Sequence, residues 1–198
     1  MTRTVSLGRP ARRRGLHAFL SLFAMGTVGV LASCDDPYAI EWTLSPDTTT
    51  LYALTRSERN LPSGFDFYNR YRVILEDPDA TGNWDMAVDV RGGELVLLPP
   101  GALGIDSKAR VAALPGRAFD GVTEAPRDTV LYTARSAVPV ELGTVYVWRT
   151  RQMYGAYGTA CVYYSKMEPL VIDAAAGTLE FVYDGSPVCN DRSFVPPK

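Results

Sequence analysis

"WDMAVDV", residues 84–90, decides the fold class. Trp84, Met86, Val88 and Val90 alternate with Asp85, Ala87 and Asp89, the period of two that sends successive side chains to opposite faces of a strand. The stretch reads as a half-buried strand, with one face packed and the other in water. Short runs of the same kind recur along the chain: "TLYALT" (50–55), "YRVIL" (71–75), "ELVLL" (94–98), "ARVAAL" (109–114) and "TVLYTA" (129–134). Pro, Gly, Asp and Asn separate them, as turns require. The C-terminal third adds "TVYVWRT" (144–150), "ACVYYSK" (160–166), "PLVID" (169–173) and "TLEFVYD" (178–184). Ala176 and Gly177 sit between the last two runs, which should therefore pair as a hairpin. No helix-period segment exceeds a few turns and no internal repeat is visible, so the pattern predicts an all-β, single antiparallel β-sandwich-like domain. The terminal "SFVPPK" reads as loose chain.

The N-terminal segment has a different composition. Arg3, Arg9, Arg12, Arg13 and Arg14 form a basic region, followed by the uncharged, mostly apolar "AFLSLFAMGTVGVLAS" of residues 18–33. That order is the one found in secretory signal peptides. The run contains Gly26 and Gly29, and it is shorter than the roughly 20 apolar residues a membrane-spanning helix needs. Leu31, Ala32, Ser33 and Cys34 resemble the bacterial lipobox, in which small residues precede the cut and the cysteine sulfur takes a diacylglycerol. The expected organisation is a signal peptide at 1–33, a lipidated tether at 34–49 beginning with Cys34, and a β domain at 50–198. Membrane attachment through the lipid follows, since each buried methylene contributes about 0.8 kcal/mol and two or more chains hold a domain stably.

Removal of 33 residues takes five of the 20 Lys and Arg and none of the 22 Asp and Glu, leaving 15 against 22, a net charge of −7. So acidic a domain is a poor partner for nucleic acid, whose phosphates call for a clustered basic surface. Cys161 and Cys189 form an even pair in an exported chain, and a disulfide is the first reading. Its loop, 28 residues in sequence separation, would contribute roughly 3 to 4 kcal/mol through the entropy of the unfolded chain. A two-cysteine metal site is the competing reading, and further soft ligands are missing from it.

The one histidine, His17, lies in the signal segment. A mature domain without imidazole has no Ser-His-Asp or Cys-His nucleophile and no HExxH-type zinc site. A carboxylate pair of the glycosidase kind needs no histidine, but nothing singles out two among the 22 acids. The domain is therefore expected to bind and not to catalyse. Two loops invite binding readings. In "DPDATGNWD" (77–85), Asp77, Asp79, Thr81, Asn83 and Asp85 follow the order of a calcium loop, yet position twelve falls on Val88 where a bidentate carboxylate is required. A β-turn with solvated acids fits better. In "RQMYGAYGTA" (151–160), Tyr154 and Tyr157 are placed to form a binding lip, tyrosine offering contact area and a hydroxyl at small entropic cost.

The blocks "NWDMAVDVRGG", "RAFDGVTEAP", "GTVYVWRTR" and "YYSK" with a final hairpin resemble, in that order, the HmuY-like haem-binding lipoproteins. The resemblance spans roughly residues 50–184 and implies an all-β lipoprotein of the outer membrane, haem being the cofactor in some members. Bis-histidine ligation is impossible here. Haem iron also accepts thioether or phenolate, which selects Met153 and its neighbour Tyr154 as the candidate cofactor ligands. Met86 shares an apolar face with Trp84 and Val88 and reads as core. The alternative is a non-enzymatic interaction module of the envelope that binds a protein or glycan through its loops.

Overall fold

A computed structural model describes residues 40–155 and 158–197 of the chain. The segment taken as signal peptide, Cys34, the start of the tether and Tyr157 lie outside the described residues. The fold is all-β. Strands β1 (Asp47–Tyr52), β6 (Arg110–Pro115), β8 (Thr144–Arg149), β11 (Tyr164–Asp173) and β12 (Thr178–Gly185) form one antiparallel sheet in the order β1-β12-β11-β8-β6. A second antiparallel sheet runs β3-β2-β4-β5-β7, built from β2 (Gly64–Asp66), β3 (Tyr71–Val73), β4 (Met86–Arg91), β5 (Glu94–Leu98) and β7 (Val138–Pro139). A two-stranded ribbon of β9 (Met153–Tyr154) and β10 (Ala160–Cys161) stands apart from both.

The inner faces of the two sheets share one core. Phe65, Met86, Val88, Leu95 and Leu97 from the second sheet meet Leu51, Val111, Trp148, Met167, Leu179 and Phe181 from the first. Phe65 is its aromatic centre, edge-on to Phe67 at 5.0 Å, Tyr183 at 4.7 Å and Phe181 at 5.5 Å between centroids. Edge-to-face packing of this kind adds attraction beyond the area buried.

The alternation in 84–90 carries the inner face correctly from Met86 onward, but the outer face does not meet water. Asp85 and Asp89 are buried, and Ala87 packs with Trp84, Val73, Val96 and Leu98 in a second cluster outside the sheet. Trp84 precedes β4 and turns to this outer cluster, away from Met86. Each acid is compensated locally: Asp89 Oδ1 accepts the Thr55 amide at 3.0 Å and its other oxygen lies 3.5 Å from Arg91 Nε. A third cluster, Val122, Ala125, Val145, Val147 and Phe194, covers the outside of the first sheet. Loops thus close both outer faces.

Three further expectations change. "TVLYTA" is not a strand: Asp128 accepts the Val130 amide at 2.9 Å and starts a 3-10 turn over Thr129–Leu131, leaving Val130 87% exposed. Only Thr133 pairs, with Val111. A capping carboxylate offers the backbone a local partner that competes with the ladder. "ACVYYSK" and "PLVID" are not separate strands, because β11 runs on from Tyr164 through Asp173 with a bulge between Pro169 and Val171. Proline is tolerated there since β8 pairs with β11 only over residues 164–167, so the missing N–H points at no ladder partner. Finally, "SFVPPK" is tied down at its start: Phe194 is buried and its amide donates to Thr123 O at 2.8 Å. The first strand begins at Asp47, inside the stretch assigned to the tether, and pairs along β12 from Tyr183 to Thr178.

The β11–β12 hairpin forms as expected. Gly177 turns it with φ +65°, and a side chain there would press on Ala53 Cβ at 3.0 Å. Truncation at the aromatic centre, Phe65→Ala, is expected to lower unfolding free energy by about 3 to 5 kcal/mol in urea titration. A loss well under 1 kcal/mol, roughly what a surface substitution gives, would contradict its central position.

Candidate functional site

Where β8 leaves the first sheet, the chain crosses to the second through a buried ion cluster. Arg151 Nη2 donates to Asp66 Oδ2 at 2.7 Å, while Nη1 lies 3.3 Å from Asp85 Oδ1. Both aspartates have no exposed side-chain surface and the arginine side chain only 12%. Asp85 is also a backbone acceptor: the Arg151 amide donates to Oδ1 at 2.7 Å and the Phe67 amide to Oδ2 at 3.0 Å. Asp66 holds Asn69 through its amide at 3.0 Å and its side chain at 2.9 Å. Burial is the largest influence on Asp85. Against the opposing pull of Arg151, it pushes the carboxyl up to about 6, with Asp66 adding to the rise. Two acids are thus brought together, but their oxygens face inward on Arg151 and backbone amides. The geometry serves cohesion between sheets and offers no carboxylate to a substrate.

The next residues form the β9–β10 ribbon. Met153 faces Cys161 and Tyr154 faces Ala160 in register. The Cys161–Cys189 disulfide is present, with Cα atoms 5.1 Å apart. Asn190 adds to it: its amide donates to Val162 O at 2.9 Å, its side-chain nitrogen to Ala160 O at 3.0 Å, and its Oδ1 accepts the Val162 amide at 3.0 Å. Gly155 lies so close that a Cβ would fall 2.7 Å from Cys161 Sγ. The candidate haem ligands fare differently. Met153 is half-buried and Tyr154 is 81% exposed. As neighbours in a strand they project to opposite sides of the ribbon, so they do not converge on one iron. The thioether of Met153 and the phenolate of Tyr154 are thus alternative ligands and not a joint pair.

The acidic loop 77–85 reads as a turn. Asp77 precedes a 3-10 turn at Pro78–Ala80, Asn83 Nδ2 donates to Asp79 O at 2.9 Å, and Asp85 belongs to the ion cluster. Among the described residues no group of three or more His, Cys, Asp or Glu is arranged to hold a metal.

Two clefts flank the crossing. One, of about 290 Å³, lies beside Arg151 and Gln152 and is walled by Trp84, Ile105 and Lys108. The other, of about 200 Å³, is aromatic: Trp42, Phe67, Tyr68 and Tyr163 line it together with the Arg70–Asp184 ion pair at 3.2 Å. The Tyr68 and Tyr163 rings meet at 4.3 Å, and burial, followed by the Tyr68 hydroxyl, raises the Tyr163 phenol above its usual range. Trp42 belongs to the stretch expected as tether, and Asp66 to a strand of three residues, too short for alternation to mark either.

The comparisons with known proteins return no match: no family model, no characterised protein and no solved structure.

The raised Asp85 carboxyl fixes the sign of a pH effect. In the unfolded chain it titrates near 3.8 and in the fold near 6, so between these values the folded state holds the extra proton. Stability contributed by Asp85 therefore falls as pH rises from about 4 to about 6, and is level above that. The unfolding free energy of the wild type relative to Asp85→Asn, measured in urea at pH 4 and pH 7, is expected to decrease by up to about 3 kcal/mol over that interval. A difference that grows with pH would contradict the assignment.

Proposed function

We propose that this chain is a bacterial lipoprotein of the cell envelope, anchored through Cys34, whose β domain works by binding a small molecule or an envelope partner and not by catalysis. One observation carries the reading. Two of the three cysteines are joined within the domain, and the third stands directly after Leu31, Ala32 and Ser33, with no cysteine left to pair with it. A disulfide points to an oxidising compartment, and the lipobox supplies the route there. The Asp66 and Asp85 carboxylates are engaged by Arg151, and no histidine follows His17. The clefts beside the β8 exit instead offer aromatic and polar walls of the kind that bind small polar molecules. The order of sequence blocks shared with the HmuY-like lipoproteins supports the same binding role, without a haem held by Met153 and Tyr154 together.

Expression in a bacterial host with labelled palmitate tests the anchor. The wild-type chain is expected to carry label and to run at the size left after removal of 33 residues, whereas Cys34→Ala should carry none and keep the precursor size. Label retained in Cys34→Ala, or an unlabelled wild type, would overturn the proposal.

A further inference from the structure

The outer side of the first sheet carries a charge arrangement that the acidic composition hides. Arg110 on β6 lies directly opposite Arg149 on β8, and Arg149 lies opposite Tyr164 on β11, so the three make one row across the sheet. Like charges in direct cross-strand register repel. Over this row, the loop after β6 places Arg127 and Tyr132, and the C-terminal segment places Arg192. With Lys108 these residues enclose a cleft of about 430 Å³. It holds five of the 15 cations that follow residue 33, and none of the residues lining it is acidic.

The internal neutralisation is incomplete. Glu124 stands at the rim, about half exposed, 3.1 Å from Arg127 and 3.3 Å from Arg192, so one carboxylate serves two guanidiniums. Arg149 Nη1 donates to Lys108 O at 2.8 Å, a neutral acceptor that leaves the charge in place. Arg110 Nε is shut off from solvent and has no hydrogen-bond partner. A buried donor without an acceptor is unfavourable, and next to a facing arginine it is doubly so. Tyr132 stays a neutral phenol, its burial raising it above the usual range; its hydroxyl donates to Pro126 O at 3.2 Å, and it lines the cleft together with Tyr164.

We propose that this cleft binds the phosphate group of a small phosphorylated molecule, with Arg110 and Arg149 as the two central ligands and Arg192 and Lys108 at its mouth. Guanidinium forks match phosphate oxygens in paired hydrogen bonds, and a dianion between Arg110 and Arg149 turns their repulsion into shared attraction. The volume exceeds that of phosphate alone. Tyr132 and Tyr164 supply the surface on which the carrying group, a sugar or a glycerol, would rest. The inference is independent of the lipid anchor.

Isothermal titration of the purified full chain in a non-ionic detergent tests it, with inorganic phosphate, glucose 6-phosphate and glycerol 3-phosphate as probes. Saturable binding is expected that weakens with added salt and falls about tenfold or more in Arg110→Gln and in Arg149→Gln. Arg110→Lys, which retains charge but not the fork, should fall between. Tighter binding of glucose 6-phosphate would identify a free sugar phosphate, tighter binding of glycerol 3-phosphate a lipid-derived headgroup, and equal response to all three inorganic phosphate. Each probe should also raise the thermal midpoint of the wild type and leave that of Arg110→Gln unmoved, a comparison that separates lost binding from lost folding. No heat and no midpoint shift with any probe, or binding unchanged in both glutamine variants, would overturn the proposal.

Discussion

Arg151 holds the two sheets to one another at the end where the chain passes between them. Its backbone leaves β8 of the first sheet, and its guanidinium reaches Asp66 of β2 and Asp85 at the entry to β4 in the second. Hydrophobic burial between sheets is strong but not directional, and fixes no register by itself. The ion cluster does, because two buried carboxylates are tolerable only with the cation and the two amides in place. The positions of the β9–β10 ribbon, its disulfide and the clefts on either side all follow from where residue 151 is fixed.

Much of this was legible in local sequence, and the reasons for the rest are physical. Period-two alternation found β4, β5, β6, β8 and β12 to within a few residues, since a strand's own residues decide which face is apolar. The Cys161–Cys189 pairing followed from parity, and the β11–β12 turn from Gly177. Alternation makes Asp85 and Asp89 look solvated because the groups that hold them lie elsewhere in the chain: the Arg151 amide is 66 positions from Asp85, and the Thr55 amide 34 positions from Asp89. Alternation reports that a face is polar; whether that face meets water depends on loops from elsewhere in the chain. The docking of Phe194 and the 3-10 turn after Asp128 belong to the same class of miss, decided by tertiary or capping contacts that apolar spacing does not encode. The basic cleft is the extreme case, assembled from β6, β8, β11, a loop and the C-terminal segment, so no short window of sequence contains it.

Covered outer faces also shape what the domain offers to partners. A bare sandwich presents flat polar sheets, whereas here the loops over each sheet leave concave ground at their margins. Tyr146 shows how firmly such a connection is held: its hydroxyl donates to Pro139 O at 2.7 Å and accepts the Glu141 amide at 2.9 Å, closing the link from β7 into β8. Lys166, buried under the third cluster, donates to Phe119 O at 2.7 Å and Val122 O at 3.0 Å and lies over the Phe119 ring, fastening the loop to β11. Burial lowers its pKa, so the ammonium is retained there by carbonyls and ring faces in place of a carboxylate. Clefts on so fixed a framework are preformed, which favours binding of small rigid ligands with little reorganisation.

Amide hydrogen exchange at two positions tests the central claim most directly. The Phe67 and Arg151 amides both donate to the Asp85 carboxylate, outside any strand ladder. If the ion cluster joins the sheets as described, both exchange only when the whole domain opens, as slowly as the buried amide of Val88 in β4, which donates to Ser63 O at 2.9 Å, and the ladder amide of Trp148 in β8. Exchange of Phe67 and Arg151 many times faster than those two would show that the crossing opens locally, and would contradict the account.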